Sequence, residues 1–228
     1  MDPLHDSAAL AALADRLYAR HDPGGTARLI VDQVGRLVPG ADHVSLTLRH
    51  HGVNTTLAAS DLVARDADDL QYALDEGPCV ESTSTCRWIR SGEVGTDDRW
   101  PRWGPQARLL GVGAALSLDL PRGGRPQGAI NIYSDASGGF HDRAGVDLAR
   151  SYAAHAAHAL ASARLEMELH SAIGSRHVIG MAQGILIERF GLTQDSSFEL
   201  LRRLSSSQEK KVRDVAQELV RSGRLPGS

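Results

Sequence analysis

Apolar residues near the start of the chain fall at helical spacing in two runs. Ala8, Leu10, Leu13, Leu17 and Tyr18 follow Ser7, a residue suited to capping a helix. Asp22-Pro23-Gly24-Gly25 interrupts the run. Thr26 then caps a second run of Leu29, Ile30, Val34, Leu37 and Val38, which stops at Pro39-Gly40. The rhythm changes to alternation at Val44, Leu46 and Leu48, with Ser45, Thr47 and Arg49 between them, which predicts a half-buried strand. Residues 55–60 fit its hairpin partner. Helical spacing returns over 61–74 through Leu62, Val63, Leu70 and Leu74. Pro78 suits the first position of a short helix, where its missing N–H would be unpaired anyway. Residues 87–89 read as a short strand and 92–105 as loop. Two stronger strands follow at 113–120 and 128–134, the second apolar at Ile130 and Ile132 with Asn131 between them.

From Asp142 the chain has no proline until Pro226. Ala149, Ala153, Ala156, Leu160, Ala163 and Met167 repeat at alternating steps of four and three, a seam of small residues that suits close helix–helix approach. A continuous helix to residue 190 would reach roughly 70 Å at about 1.5 Å per residue. Such a helix is expected to link two domains and to support a homodimer; the alternative is two helices with a kink near Gly174. After Gly191, residues 194–205 place Phe198, Leu201 and Leu204 on one stripe. Residues 210–222 do the same with Val212, Val215, Ala216 and Leu219. With the end of the long helix these make a three-helix unit.

The composition, 42% hydrophobic and 23% charged over 228 residues, is that of a soluble globular protein. No apolar run approaches the roughly 18 residues of a membrane span. The acidic N-terminus predicts no secretory signal, so the expected location is the cytoplasm. Two cysteines, Cys79 and Cys86, cannot build a disulfide framework or a metal site with the histidines. The net charge of −3 argues against a wholly basic nucleic-acid coat, yet its distribution is uneven. Residues 202–224 hold seven Arg and Lys against three Asp and Glu. The chain's two lysines, Lys210 and Lys211, sit there together, as in a small nucleic-acid patch.

The element order gives an α+β fold: an antiparallel sheet with helices packed on one side. With LDEGPCVES at 74–82, GVGAALSLDL at 111–120, GAINIYS at 128–134 and Phe140-His141-Asp142 opening the last helix, residues 8–163 resemble a GAF domain, a relative of PAS sensors. Residues 164–222 resemble an ANTAR domain, the RNA-binding module of antitermination regulators. Ser175-Arg176, residues 179–186 (IGMAQGIL), 188–192 (ERFGL), 198–202 (FELLR), Ser205 and 213–216 (RDVA) carry that likeness. Two positions depart from it: Ser197 stands where the family often has Ala, and Glu209 where it often has Asn.

The resemblance implies a dimer on paired RNA stem-loops that overlap a terminator, gated by the sensor. Folded RNA is held through its phosphates and read at its loops. The expected RNA-binding residues are Arg176, Arg202, Arg203, Ser205, Ser206, Lys210, Lys211 and Arg213. Ser207 is an alternative helix cap, and Gly184 is expected to permit close packing. The sensor implies a small-molecule ligand of unknown identity, and no cofactor is named. Cys79, in the first turn of a helix whose dipole lowers a thiol pKa, and Cys86 are redox candidates. His155 and His158 are read as a surface or interface pair ahead of a haem or metal site, and Trp88, Trp100 and Trp103 as core packing ahead of the lining of a pocket. Residues 1–209 contain no lysine, which disfavours a phosphorelay receiver. Two other readings compete: a DNA-binding helix-turn-helix in the last three helices, with Arg213 and Gln217 as its readers, and a methionine sulfoxide reductase, which needs three cysteines. No catalytic triad or phosphate cradle is present, so the chain is expected not to be an enzyme.

Overall fold

The computed structural model describes residues 15–122 and 125–225. The chain divides into two compact units, Met1–Leu165 and Glu166–Ser228. The first helical run falls largely outside the described residues; residues 15–18 are helical and Leu17 is buried.

In the first unit, helix α1 (Pro23–Leu37) starts earlier than the glycines suggested. Asp22, in extended backbone, accepts the Gly25 N–H, and Pro23 takes the position where a missing donor is harmless. Thr26 is therefore inside the helix rather than capping it. Strands β1 (His43–His50) and β2 (Val53–Ala59) form the expected hairpin. Helices α2 (Leu62–Leu74, capped by Asp61) and α3 (Pro78–Thr85) follow. The edge strand β3 (Ile89–Ser91), a 3-10 turn (Val94–Thr96) and helix α4 (Trp103–Leu109) come next, so part of the expected loop is ordered. Strands β4 (Ala114–Arg122) and β5 (Arg125–Ser134) complete an antiparallel sheet of order β2-β1-β5-β4-β3.

Both faces of this sheet are covered, which corrects the one-sided expectation. On one face Val44, Leu46, Leu116, Leu118, Ile130 and Ile132 pack with Ile30 and Val34 of α1 and with the start of helix α5 (Arg143–Phe190). On the other, Ala115 and Tyr133 pack with Ala64 and Ala67 of α2 and with Trp100, Trp103 and Ala107. Helix α2 buries Ala64, Ala67, Asp68 and Gln71 completely, packs Val63, Leu70 and Leu74 at the margin of that core as their spacing predicted, and leaves only Leu62 of the expected stripe exposed. Strand β1 is buried on both sides: Ser45 and Thr47 are as inaccessible as Val44 and Leu46.

The second face holds a polar network. Register places Ser45, Asn131 and Ser117 side by side on β1, β5 and β4. Asn131 accepts from Ser117 Oγ (2.8 Å) and donates to Thr47 Oγ1 (3.0 Å) and Asp68 Oδ1 (2.9 Å). Asp68 also accepts the hydroxyls of Tyr133 (2.6 Å) and Thr56 (2.7 Å). Burial pushes the Asp68 carboxyl above its ordinary range, against the pull of these donors. Gln71 donates to Tyr133 Oη and accepts the Cys79 N–H. A side chain at Gly77 (φ +124°) would collide with Gln71, so glycine is required where α3 begins.

Helix α5 opens at Asp142, whose carboxylate accepts the N–H groups of Ala144 and Gly145, and it runs unbroken for 48 residues. Gly174 does not interrupt it, so the alternative of two separate helices is not found. The small-residue seam is largely spent inside the first unit: Ala149, Ala153, Ala156 and Leu160 belong to the sheet core, Ala163 is buried, and Met167 is exposed.

Candidate nucleic-acid interface

The second unit joins the last part of α5 to helices α6 (Gln194–Ser207) and α7 (Val212–Ser222). Ala182 and Leu186 of α5, Leu201 of α6, and Val215, Ala216 and Leu219 of α7 form its core. Phe198, expected on the inner stripe of α6, is exposed; Ser197 is fully buried there instead. Its hydroxyl donates to Gln194 O and accepts from Gln183 Nε2, so the departure from Ala is satisfied by hydrogen bonds. Thr193 caps α6, and the Arg189 guanidinium donates to the Gly223 carbonyl, tying the end of α5 to the end of α7. Gly184 is exposed with open space where a side chain would stand, so the close packing expected of it is not found within this chain.

The expected RNA-contacting residues fall into subsets. Arg202 and Arg203 project from α6 and line a surface concavity with Ser206, Ser207 and Glu199. Glu199 holds Arg202 through two hydrogen bonds of 3.0 and 3.1 Å and reaches Arg203 at 3.6 Å. These guanidiniums hold the exposed Glu199 carboxyl below its ordinary range. Lys210 pairs with Glu218 at 2.9 Å. Ser205 closes the α6–α7 loop: its hydroxyl donates to Lys210 O and its carbonyl accepts the Lys210 N–H. Ser207 donates to Leu204 O within its own helix, and Lys211 occupies the N-cap of α7 without a side-chain cap, so Ser207 is not the cap. Lys211 and Arg213 are exposed, and Arg213 reaches Ser171 of α5 at 3.4 Å. Arg176 is exposed on α5 and its side chain, among the described residues, makes no hydrogen bond or ion pair.

Sequence reasoning missed the two carboxylates. The Glu199 pairs were readable from i+3 and i+4 spacing; the Lys210–Glu218 pair, made from the residue before the N-cap of α7 to that helix eight positions on, was not. Glu209, between Gln208 and Lys210, sits at φ +53°, in the left-handed region. Asn adopts that conformation far more readily than Glu, which gives a conformational reason for Asn at this position.

The redox expectation fares differently. Cys79 is in the first turn of α3 as expected, but it is wholly buried, with its thiol 3.4 Å from Thr47 Oγ1. Burial and the nearby Asp68 push the thiol up to about 12, so the helix dipole does not activate it. Cys79 and Cys86 do not form a disulfide. His155 and His158 are exposed, and no group of three or more metal-ligating side chains occurs among the described residues. No described helix is long and apolar enough to cross a membrane. Trp100 and Trp103 are core, whereas Trp88 is 40% exposed, contrary to its packing assignment.

Comparison with known proteins agrees with this division. The GAF domain family matches residues 20–161 and the ANTAR domain family residues 167–220. No curated protein matches the chain. Among solved structures, the GAF domain of a phosphoenolpyruvate-protein phosphotransferase from Coxiella burnetii is similar at 17% identity, with a TM-score of 0.57 over 74% of this chain and 99% of that one. The corresponding Acinetobacter domain is similar at 13% identity and the same TM-score, over 72% and 97%. A bacteriophytochrome from R. palustris matches 90% of this chain and 48% of its own, at 12% identity and a TM-score of 0.61. These identities speak to fold alone. The chain thus belongs to the GAF domain family and carries an ANTAR domain behind its GAF domain.

Proposed function

We propose that this protein regulates transcription antitermination: the C-terminal unit, about residues 164–222, binds stem-loop RNA as a homodimer under the control of the sensor at about 8–163. The observation that carries the reading is the ANTAR match over 167–220, coincident with the basic stretch. Lys211, Arg213 and Arg176 offer cations outside ion pairs for phosphate. Arg202, Arg203 and Lys210 are held by exposed carboxylates, from which phosphate can recruit them. Work on a transcript places the protein in the cytoplasm, with a small molecule, a redox change or a partner protein as input.

The proposed dimer needs an apolar seam other than the heptad in the sheet core. Leu165, Leu169 and Ile173, four apart on α5 and 47%, 54% and 65% exposed, supply one. Gel retardation of an RNA with two adjacent hairpins, against duplex DNA of equal length, tests the reading. Hairpin RNA should bind tighter. Lys211→Ala with Arg213→Ala should weaken binding and lower the salt slope by about one for each phosphate that is no longer neutralised. Absence of retardation at low salt, or tighter binding of DNA, would overturn it. Leu169→Glu with Ile173→Glu should yield a monomer in sedimentation.

A further inference from the structure

Within the first unit, a cleft of about 340 Å³ opens beside the root of α5. Trp88, just before β3, and Arg90 of β3 form one wall; Phe140 and His141 lead into the helix. Arg143, Val146, Asp147 and Arg150, at helical spacing on the first turns of α5, form the other wall. Neither the nucleic-acid interface nor the network around Asp68 uses these residues.

The lining has two chemical characters. Phe140 and Val146 are 8% and 7% exposed and make an apolar floor. Trp88 lines the same cleft, with the Arg150 guanidinium 5.3 Å from its ring centre. Three guanidiniums, Arg90, Arg143 and Arg150, line it together with one carboxylate, Asp147. Asp147 touches Arg150 at 3.2 Å and Arg143 only at 3.9 Å. Arg90 is set in place by donating Nη1 to the Phe140 carbonyl at 2.9 Å. Positive charge therefore exceeds negative around a pocket with an aromatic wall. A surface cleft with this surplus attracts anions, and guanidiniums match carboxylate and phosphate oxygens in pairs. An aromatic face and an apolar floor add preference for a flat ring. The volume lies at the small end of ligand sites, roughly 300–1,000 Å³.

We propose that this cleft binds a small ring-bearing anion. The ring lies on Trp88 and the Phe140–Val146 floor, and the carboxylate or phosphate is held by Arg150 with Arg90 and Arg143. Such a ligand would touch both the β3 edge strand and the first two turns of α5.

The full chain can be titrated calorimetrically with four probes: AMP, benzoate, adenosine and inorganic phosphate. AMP or benzoate should bind saturably and quench indole fluorescence. Adenosine and inorganic phosphate, which lack the anion and the ring respectively, should bind at least tenfold more weakly than the better of the two. AMP bound well above benzoate identifies a phosphate ligand, and the reverse a carboxylate. Arg150→Ala should weaken binding at least tenfold, and Trp88→Phe should remove the fluorescence change while leaving binding. Arg150→Lys, which keeps the charge and the fold, should fall between wild type and Arg150→Ala. Inorganic phosphate binding as tightly as AMP and benzoate, adenosine matching them, or no saturable binding of either would overturn the proposal. So would unchanged binding in Arg150→Ala.

Discussion

Two polar clusters, one in each unit, show how much the surroundings of a charge decide. Asp68 of α2 lies wholly out of solvent, and the donors aimed at its carboxylate come from the sheet: Tyr133, Thr56, Ser45 and Asn131. Glu199 and Glu218 also answer the chain's own donors, but from exposed helix surfaces. In the dry cluster a missing partner leaves buried donors unmet, and each unmet group costs about 1–3 kcal/mol. In the wet cluster water and salt replace the partner, and such pairs contribute little to stability. The first cluster is therefore architecture, while the second is free to exchange its carboxylates for other anions.

The largest test of that contrast is Asp68→Ala. It strands the Tyr133 hydroxyl proton and one Asn131 hydrogen and leaves the Thr56 hydroxyl with Tyr72 alone, so the first unit should lose about 3 kcal/mol in urea denaturation. Glu199→Ala should leave the denaturation midpoint where it is. A small loss for Asp68→Ala would mean that water enters the network, and the contrast would fail.

The network also marks what the sequence could disclose. The β1–β2 hairpin, β4, β5, the N1 proline of α3 and the long helix were legible because each follows a simple period or a strong local rule. The second covered face was not, because the fully buried positions of α2 are alanines and polar side chains and Asn131 looks like a flaw in an apolar strand. Thr56 and Asn131 are aligned by strand register, and Asp68 reaches them only because α2 lies across that face of the sheet. In the C-terminal unit the basic residues were legible as composition. The Glu199 pairs, all within α6, were open to a reading of helical spacing; the Lys210–Glu218 pair and the Ser205 loop closure depended on the path of the chain between α6 and α7.

A smaller effect is expected at Glu209, whose left-handed backbone (φ +53°) is strained for a residue of its shape. Glu209→Asn should raise the stability of the C-terminal unit by about 0.5–1 kcal/mol, read as a shift in its thermal midpoint. Because it also removes a carboxylate beside Lys210, it should tighten RNA binding in the same variant. Stabilisation without tighter binding would separate the conformational role from the electrostatic one.

Intermediate in burial is His43 of the first unit, whose ring nitrogens each meet a carboxylate at 2.9 Å, Asp61 and Asp135. Partial burial opposes its charge, but the two carboxylates prevail and raise its pKa above 6.5. A histidine raised in the folded state contributes its full stability below about pH 6.5 and loses it as pH climbs through the raised value. The thermal midpoint of the first unit should thus fall over that rise. His43→Ala should flatten the curve and lower the midpoint mainly on the acidic side. A variant that keeps the wild-type slope would assign the pH dependence to another group.

The smallest effect expected is the one that asks most directly whether the exposed pairs can exchange. Glu199 occupies the guanidiniums of Arg202 and Arg203 on α6. On the proposed reading, RNA phosphate must displace that carboxylate before it takes the arginines. Glu199→Gln keeps the shape and hydrogen-bonding reach of the side chain but removes the competing charge. It should tighten hairpin RNA binding about threefold at low salt, since each exposed pair is worth only about 0.2–1 kcal/mol. The gain should shrink as salt screens the site. Arg202→Ala in the same background should abolish it, because the gain exists only if the freed guanidinium meets the transcript. If Glu199→Gln leaves affinity unchanged while Lys211→Ala lowers it, the RNA-binding groups gather around the α7 N-terminus, and the α6 arginines serve only to hold their own helix surface.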